Sequence, residues 1–272
     1  MTGFFNNSST RPVQSILILG DSFAERNAGH PDSIDLNGPS WPMLLELDPR
    51  YRVTNMAEGG SGMWFSFSKF TQYQRDYDII LYVVSESHRI YHPIAAEPSM
   101  RHHNINASTI WMSALKRKLE AKSHNHPAIE ELLAIELYFK YLLNLTERDE
   151  YQRLMINDIR TVRPDAILIP AFRESIYDHE GACLVDISDN EIQHLGLRLA
   201  DGFRTRDEHR QCHMTKENNR TLYEHVCRWI DGESMSMHVE DFGIMPAAEL
   251  DRYMPVMTAE LMAHLENMIL PG

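Results

Sequence analysis

A serine stands directly after the first apolar segment of the chain. Residues 16–19 read Ile-Leu-Ile-Leu and lead into Gly20, Asp21 and Ser22. A short apolar run that ends at a glycine is typical of a buried parallel strand, and the residues after Ser22 can open a helix. Ligands bind at the carboxyl ends of such strands, where backbone N–H groups and the helix dipole favour negative charge. Ser22 is therefore either a nucleophile or an ordinary helix N-cap, a role that serine often has.

Three further polar segments follow along the chain. A glycine-rich turn at 55–62 comes after a short predicted strand and exposes backbone N–H groups. The clearest strand, 78–84, ends in a polar cluster, which contains Glu86, Ser87 and His88. A dense polar loop at 204–219 contains His213 and precedes a predicted helix. Because the carboxyl ends of parallel strands face one crevice, the segments that follow the first three predicted strands are candidates for a shared site.

Strands alternate with helices along most of the chain. The predicted strands are 14–19, 51–55, 78–84 and 165–170, with 183–186 as one more short strand or extended segment. This alternation predicts an α/β fold, built as a three-layer α/β/α sandwich around a mainly parallel, five-stranded sheet. Residues 107–162 read as helix, which is more than a simple crossover between two strands needs. We therefore expect an inserted helical hairpin or small cap there.

The expected domain covers residues 1–230 and includes the helical insertion at about 107–162. Residues 231–272 are rich in methionine and predict a C-terminal helical extension, which packs on the domain or on a partner subunit. A chain of 272 residues can bury a large core. Packing of the C-terminal extension on a partner subunit would make a homo-oligomer, which is one of the expected assemblies.

Composition disfavours several classes of function. The chain has 39 acidic and 26 basic residues and a formal net charge of −13, whereas nucleic acids and anionic membranes are bound by basic patches. No apolar run approaches the roughly 20 residues of a membrane-spanning helix, and residues 1–10 do not read as a signal peptide. The three cysteines form no paired framework. We expect a cytoplasmic protein that binds neither nucleic acid nor membrane.

Metal and nucleotide sites receive little support from the sequence. His124 and His126 have a His-x-His spacing, and His102 and His103 are adjacent. No third ligand is placed by the spacing, so solvated loop histidines are favoured over a metal site. Neither Gly-x-Gly-x-x-Gly nor Gly-Lys-Ser/Thr is present, which disfavours a nucleotide-binding role for the glycine-rich turn. No metal or organic cofactor is therefore expected.

The order of these motifs resembles that of the SGNH (GDSL-type) hydrolases. In that family a nucleophilic serine, a glycine, an asparagine and a histidine come from four separated blocks. Here the matching segments are Gly20-Asp21-Ser22, Asn55-x-Ala57-x-x-Gly60 and His213-x-Thr215. The helix that begins near Ser40-Trp41-Pro42 also looks like that family. The resemblance covers about residues 14–230, without the helical insertion.

The resemblance implies a role for each matching residue. Ser22 would be the nucleophile, and His213 would be its general base and then the general acid for the leaving group. The backbone N–H groups of Ser22 and Gly60 would donate to the oxyanion, each worth about 3 kcal/mol of transition-state stabilisation. The implied reaction is hydrolysis of a carboxylic ester, such as a small acyl group on a carbohydrate, without a cofactor.

The third block departs from the family pattern. It usually reads Gly-x-Asn-Asp, and the asparagine side chain donates to the oxyanion. Here the strand ends in Ser85-Glu86-Ser87-His88. Ser87 or His88 would have to donate instead. Glu86 would bind substrate or pair with Arg89.

The fourth block departs as well. The family usually has aspartate three residues before the histidine, and that position is Arg210 here. Asp207 could reach the imidazole if the loop bends back; Glu208 or a backbone carbonyl are the alternatives. Cys212 is disfavoured as a nucleophile, because adjacent loop residues point in different directions. Two alternatives to an esterase stay open. The same machinery could transfer the acyl group to another hydroxyl, as an acyltransferase does, and the two departures favour an SGNH-like protein that binds without cutting.

Overall fold

The described part of the chain forms a mixed α/β fold around one parallel sheet. The structure is a computed structural model. It describes residues 12–26, 39–59, 61–87, 89, 130, 133–134, 137–172, 181–187, 214 and 216–243. The strands are β1 (Gln14–Leu19), β2 (Tyr51–Asn55), β3 (Ile79–Val84) and β4 (Ile167–Pro170). The α-helices are α1 (Trp41–Leu47), α2 (Met63–Tyr73), α3 (Leu145–Val162) and α4 (Lys216–Ile230). Shorter elements are a π-helix at Tyr138–Leu142 and 3-10 helices at Gln74–Asp76 and Val239–Asp241.

The strand order reverses beside β1, the position at which α/β sheets have their ligand-binding crevice. The order is β2-β1-β3-β4, and all three pairings are parallel. Ile16 of β1 is in register with Val53 on one side and Ile79 on the other. The chain thus continues from β1 to one side and returns for β3 on the other. Ligands of open α/β sheets bind where the strand order reverses in this way, outside the carboxyl ends of the strands.

The sheet has four strands in the described residues, where the sequence predicted five. The candidate for the additional strand, 183–186, instead leads into a short helical turn at 184–187. The backbone N–H and the Sγ of Cys183 both donate to Asp186 Oδ2, at 3.0 and 2.8 Å. Such a local acceptor competes with the ladder of a sheet. Beside this turn, Gly181 forms an isolated parallel bridge with Met237.

The two faces of β1 pack against different helices. Side chains alternate along a strand, so Ile16 and Ile18 belong to one buried cluster, and Leu17 and Leu19 to another. The first cluster contains residues of α1 and α4, and the second contains residues of α2 and α3. All four of these β1 side chains are fully buried. The strand that leads to Ser22 is therefore fixed from both sides.

Two of the helices differ in how they begin. Helix α1 begins near Ser40-Trp41-Pro42, as predicted, with Pro42 in its first turn. The Ser40 side chain does not cap it and donates instead to the Arg26 carbonyl at 2.9 Å. Helix α3 begins after Asn144, whose side chain accepts from the Glu147 N–H at 3.3 Å.

Much of the predicted insertion, and most of the C-terminal extension, lie outside the described residues. Those residues of the insertion that are described before α3 are helical at 130, 133–134 and 137 and continue into the π-helix. Within the described chain, no helix is both long and apolar enough to cross a membrane.

Candidate functional site

Ser22 lies in a tight turn at the carboxyl end of β1. The turn is held by Asp21, because the Phe23 N–H donates to its Oδ1 at 3.0 Å and the Ala24 N–H donates to its carbonyl at 2.9 Å. A side-chain oxygen that binds the backbone two residues ahead defines an Asx turn. Asp21 is fully buried, whereas Ser22 is half-buried. The turn thus presents the serine beside the crevice and keeps the aspartate inside.

Gly20 brings this turn against the central strands. Its φ is +147°, and a Cβ built on it would lie 2.6 Å from the Val83 Cβ, so glycine fits this position. Its carbonyl accepts from the Glu58 N–H at 3.2 Å and from the Ser61 hydroxyl at 3.0 Å. The first and second motifs of the sequence are therefore joined directly.

The second motif makes two more contacts with the segment after Ser22. Asn55 Nδ2 donates to the Ala24 carbonyl at 2.7 Å, and Asn55 Oδ1 accepts from the Ala57 N–H at 2.9 Å. The Gly59 N–H donates to the Glu25 carboxylate. A Cβ on Gly59 would lie 2.6 Å from Glu25 Oε2, so the Glu25 carboxylate packs closely against this glycine.

The pKa of the Glu25 carboxyl group is raised by its surroundings. Burial raises its pKa above the ordinary value, and the nearby charges of Glu58 and Asp21 raise it further. The Gly59 N–H acts in the opposite direction by binding the charged form. The sequence predicted no role for Glu25, because a single carboxylate in a loop forms no recognisable motif.

A buried arginine connects the turn to the loop after β3. Arg89 is 3% exposed, and its Nη1 donates to Asp21 Oδ2 at 2.9 Å and to the Ser61 carbonyl at 3.1 Å. Its guanidinium carbon lies 4.8 Å from the centre of the Phe172 ring, a cation–π contact. Arg89 Nη2 is also 3.9 Å from Glu86 Oε1, the pairing that the sequence suggested. The shorter contact with Asp21 was not predicted.

Ser85 and Ser87, which follow β3, are bound to α3. Ser87 Oγ donates to Asp149 Oδ1 at 2.6 Å, and Gln152 Nε2 donates to the Ser85 carbonyl at 2.6 Å. A serine hydroxyl has one proton to donate. A role for Ser87 as an oxyanion donor would therefore require its hydrogen bond to Asp149 to break.

A buried chain of hydrogen bonds, called here the Trp41–Asn219 bridge, joins the turn after β1 to the start of α4. Trp41 Nε1 donates to the Phe23 carbonyl at 2.7 Å, and the Trp41 N–H donates to Asn219 Oδ1 at 3.0 Å. Asn219 Nδ2 in turn donates to the Met214 carbonyl at 3.0 Å. Phe23 and Met214 also belong to the same buried cluster. The bridge thus fixes the distance between two segments that are far apart in sequence.

The structure describes some of the predicted site residues and not others. Ser22 follows β1, and Glu86 and Ser87 follow β3, so all three lie at the same edge of the sheet. The predicted residues that lie outside the described part are Gly60, His88, Asp207 and His213, together with Glu208, Arg210 and Cys212. Nevertheless, the Trp41–Asn219 bridge holds the sequence neighbours of both Ser22 and His213, which are Phe23 and Met214. The only sequence signal for this bridge was the pair of asparagines at the start of a predicted helix.

Replacing Asn219 with alanine is expected to lower the free energy of unfolding by about 2–3 kcal/mol, because the Trp41 N–H and the Met214 carbonyl would stay buried without partners. Urea denaturation measures this change. Arg220→Ala is the matched control, since Arg220 is the next residue of α4 and is exposed. If both variants unfold at the same urea concentration, the bridge does not stabilise the fold.

The chemistry of the described site is that of a hydroxyl, buried charges and backbone donors. No three or more His, Cys, Asp or Glu side chains come together as a metal site in the part of the chain that is described. A scan against models of protein families and a search of curated proteins find no match to this chain. A proposal about function therefore depends on the geometry around Ser22.

Proposed function

We propose that the chain is a serine esterase of the SGNH type, which hydrolyses a carboxylic ester through an acyl-Ser22 intermediate. The observation that carries this proposal is the turn at Ser22. It lies where the strand order reverses, is held by a buried Asp21 and leaves the serine half-buried. The fold that accompanies the proposal is the flavodoxin-like α/β/α sandwich of that family. Helices packed against both faces of β1 support it.

The proposed mechanism has two steps. The Ser22 Oγ attacks the ester carbonyl while His213 takes the hydroxyl proton, and the tetrahedral oxyanion receives hydrogen bonds from the backbone N–H groups of Ser22 and Gly60. His213 then gives the proton to the departing alcohol. Water, deprotonated by His213, attacks the acyl-enzyme and releases the acid. Asp207 is proposed to orient the imidazole.

The Trp41–Asn219 bridge supports the pairing of Ser22 with His213. Catalysis by a serine and a histidine needs the two side chains within hydrogen-bond reach. The bridge binds the carbonyls of Phe23 and Met214, which are next to Ser22 and His213 in the sequence. Phe23 and Met214 also belong to one core cluster. A connection of this kind is expected if two segments that are distant in sequence must keep a fixed separation for catalysis.

Labelling with a fluorophosphonate probe tests whether Ser22 is a nucleophile. Wild type is expected to be labelled, and Ser22→Ala is expected to lose the label completely, because the probe forms its bond with an activated serine. Ser15→Ala is the matched control, since Ser15 lies at the other end of β1, roughly 20 Å away for a strand of this length. Labelling that survives in Ser22→Ala, or that is absent from wild type, would contradict the proposal.

Turnover of p-nitrophenyl acetate tests the histidine. His213→Ala is expected to lower kcat/KM by roughly 10²–10⁴-fold, the contribution of a general acid–base group. The exposed His238 provides the control variant, His238→Ala, which should match wild type. Equal rates for the two histidine variants would remove His213 from the mechanism.

A non-catalytic SGNH-like binding protein is the second candidate. The observation that favours it is the hydrogen bond from Ser87 to Asp149, which engages one of the two residues expected to replace the oxyanion asparagine. Such a protein would never be labelled by the fluorophosphonate. An acyltransferase would be labelled, but it would pass the acyl group to an added alcohol rather than to water. A carbohydrate ester remains the proposed substrate, with a cytoplasmic location and no nucleic-acid partner.

A further inference from the structure

An open depression lies beside the turn that holds Ser22. Its volume is about 460 Å³, and its lining residues are Glu25, Arg26, Glu46, Val53, Asn55 and Ala57. They come from the segment after the turn, from α1 and from the carboxyl end of β2. Small-molecule sites have volumes of roughly 300–1,000 Å³. The depression therefore has the size of such a site, at the same edge of the sheet as Ser22.

The walls of the depression are held by contacts within the protein. Arg26 Nε and Glu46 Oε2 form an ion pair of 2.6 Å across one wall. The Arg26 carbonyl accepts from the Ser40 hydroxyl at 2.9 Å, and Asn55 binds the Ala24 carbonyl at 2.7 Å. A ligand would meet groups that are already in place, which lowers the entropy cost of binding.

The lining offers acceptors rather than unpaired charges. Glu46 is paired with Arg26, and Glu25 accepts from the Gly59 N–H. A carboxylate has about four acceptor positions, so each of these two keeps lone pairs that hydroxyl groups can fill. Val53 supplies a small apolar surface between the polar groups. This combination suits a group that carries several hydroxyls on a short carbon frame.

The same lining opposes a negatively charged ligand. Two carboxylates face one guanidinium, that of Arg26. The charges of Glu58 and Asp21 also act on Glu25, so negative charge is already crowded there. A carboxylate or phosphate on the ligand would add to this repulsion.

We propose that this depression binds the alcohol part of the ester attacked by Ser22, and that it selects an uncharged, hydroxyl-rich alcohol over an anionic one. The assignment to the ester depends on the function proposed above. Binding of the alcohol itself does not depend on catalysis, so the two can be tested separately.

Equilibrium binding to the Ser22→Ala protein tests this proposal without turnover. The probes are methyl glucoside and methyl galactoside, each titrated beside its uronate and followed by ligand-observed NMR. At least one neutral glycoside is expected to bind about tenfold more tightly than its uronate, the effect of one added charge near the lining carboxylates. Adding Glu25→Gln should bring this ratio close to one. Adding Glu150→Gln should leave it unchanged, because Glu150 is half-exposed on α3 and paired with Arg153.

Three results would overturn the proposal: neither neutral glycoside binds, the uronates bind as tightly as the glycosides, or Glu25→Gln leaves the ratio unaltered. Failure of the proposed function gives a different signature. Wild type would then resist the fluorophosphonate while the Ser22→Ala protein still bound a glycoside.

Discussion

Replacing Arg89 with methionine is expected to lower the free energy of unfolding by about 3–5 kcal/mol, the usual cost of removing one partner of a buried ion pair. Arg89 and Asp21 are 3% and 0% exposed at their side chains, so the remaining carboxylate would have no access to water. The Ser61 carbonyl would lose a hydrogen bond at the same time. Methionine is similar in length to arginine, which limits the cavity. The loss of stability therefore reflects mainly the missing charge and its hydrogen bonds. Urea denaturation measures it.

An exposed ion pair provides the control for Arg89. Arg153→Met breaks the pair with Glu150, whose side chains are 56% and 50% exposed, and is expected to cost at most about 1 kcal/mol. Combining Asp21→Asn with Arg89→Met should recover part of the lost stability, because an asparagine can keep the hydrogen bond from Phe23 without a buried charge. If Arg89→Met is no more costly than Arg153→Met, the buried pair does not organise the turn.

Replacing Gly20 with alanine is expected to destabilise the protein by about 4 kcal/mol, the sum of backbone strain and overpacking. The φ of +147° is rare for a residue with a side chain, and the new Cβ would lie 2.6 Å from the Val83 Cβ and 3.2 Å from its carbonyl oxygen. Val83 is in β3, which pairs with β1, so neither strand can move away without losing its ladder. Thermal and urea unfolding both report the change.

Gly232 separates the two causes of this effect. Its φ is +96°, and a Cβ built on it would have nothing within 4 Å. Gly232→Ala is therefore expected to show strain alone, about 1–3 kcal/mol. The difference between the two variants measures the clash at Val83. Adding Val83→Ala to Gly20→Ala should bring little recovery, because the close contact is with the Cβ that alanine keeps. Equal losses at Gly20 and Gly232 would show that β1 and β3 tolerate the extra carbon.

Strands β1, β3 and β4 were predictable because each is a short, largely buried apolar run, whereas β2 is more polar and only partly buried. Residues 14–19 and 51–55 are strands in the sequence analysis and in the structure alike. The segment 183–186 was predicted less well, because its apolar residues fit a strand while Asp186 captures the Cys183 N–H. The hydrophobic pattern alone does not predict that a side chain will compete with a neighbouring strand for a backbone N–H group.

The position of Ser22 was predictable, but the contacts that fix it were not. The motif places the serine after a strand by local sequence alone. Asp21 and Arg89 are 68 positions apart, and Trp41 and Asn219 are 178 positions apart. No spacing rule connects residues at such separations, and an arginine or asparagine has many partners available in a fold of this size. The Asp21–Arg89 pair follows from the topology of the sheet, which brings the ends of β1 and β3 together. The Trp41–Asn219 pair follows from the packing of α1 and α4 in one buried cluster.

The Trp41–Asn219 bridge also has a consequence during synthesis of the chain. At roughly 5–20 residues per second, a ribosome needs about 9–36 s to extend the chain from Trp41 to Asn219. Throughout that interval the segment after β1 exists without the asparagine that its tryptophan will bind. The part of the site that is made first is therefore completed only after Asn219 has been added. A nascent chain halted before α4 would contain Ser22 but would lack the hydrogen bond between the Trp41 N–H and Asn219.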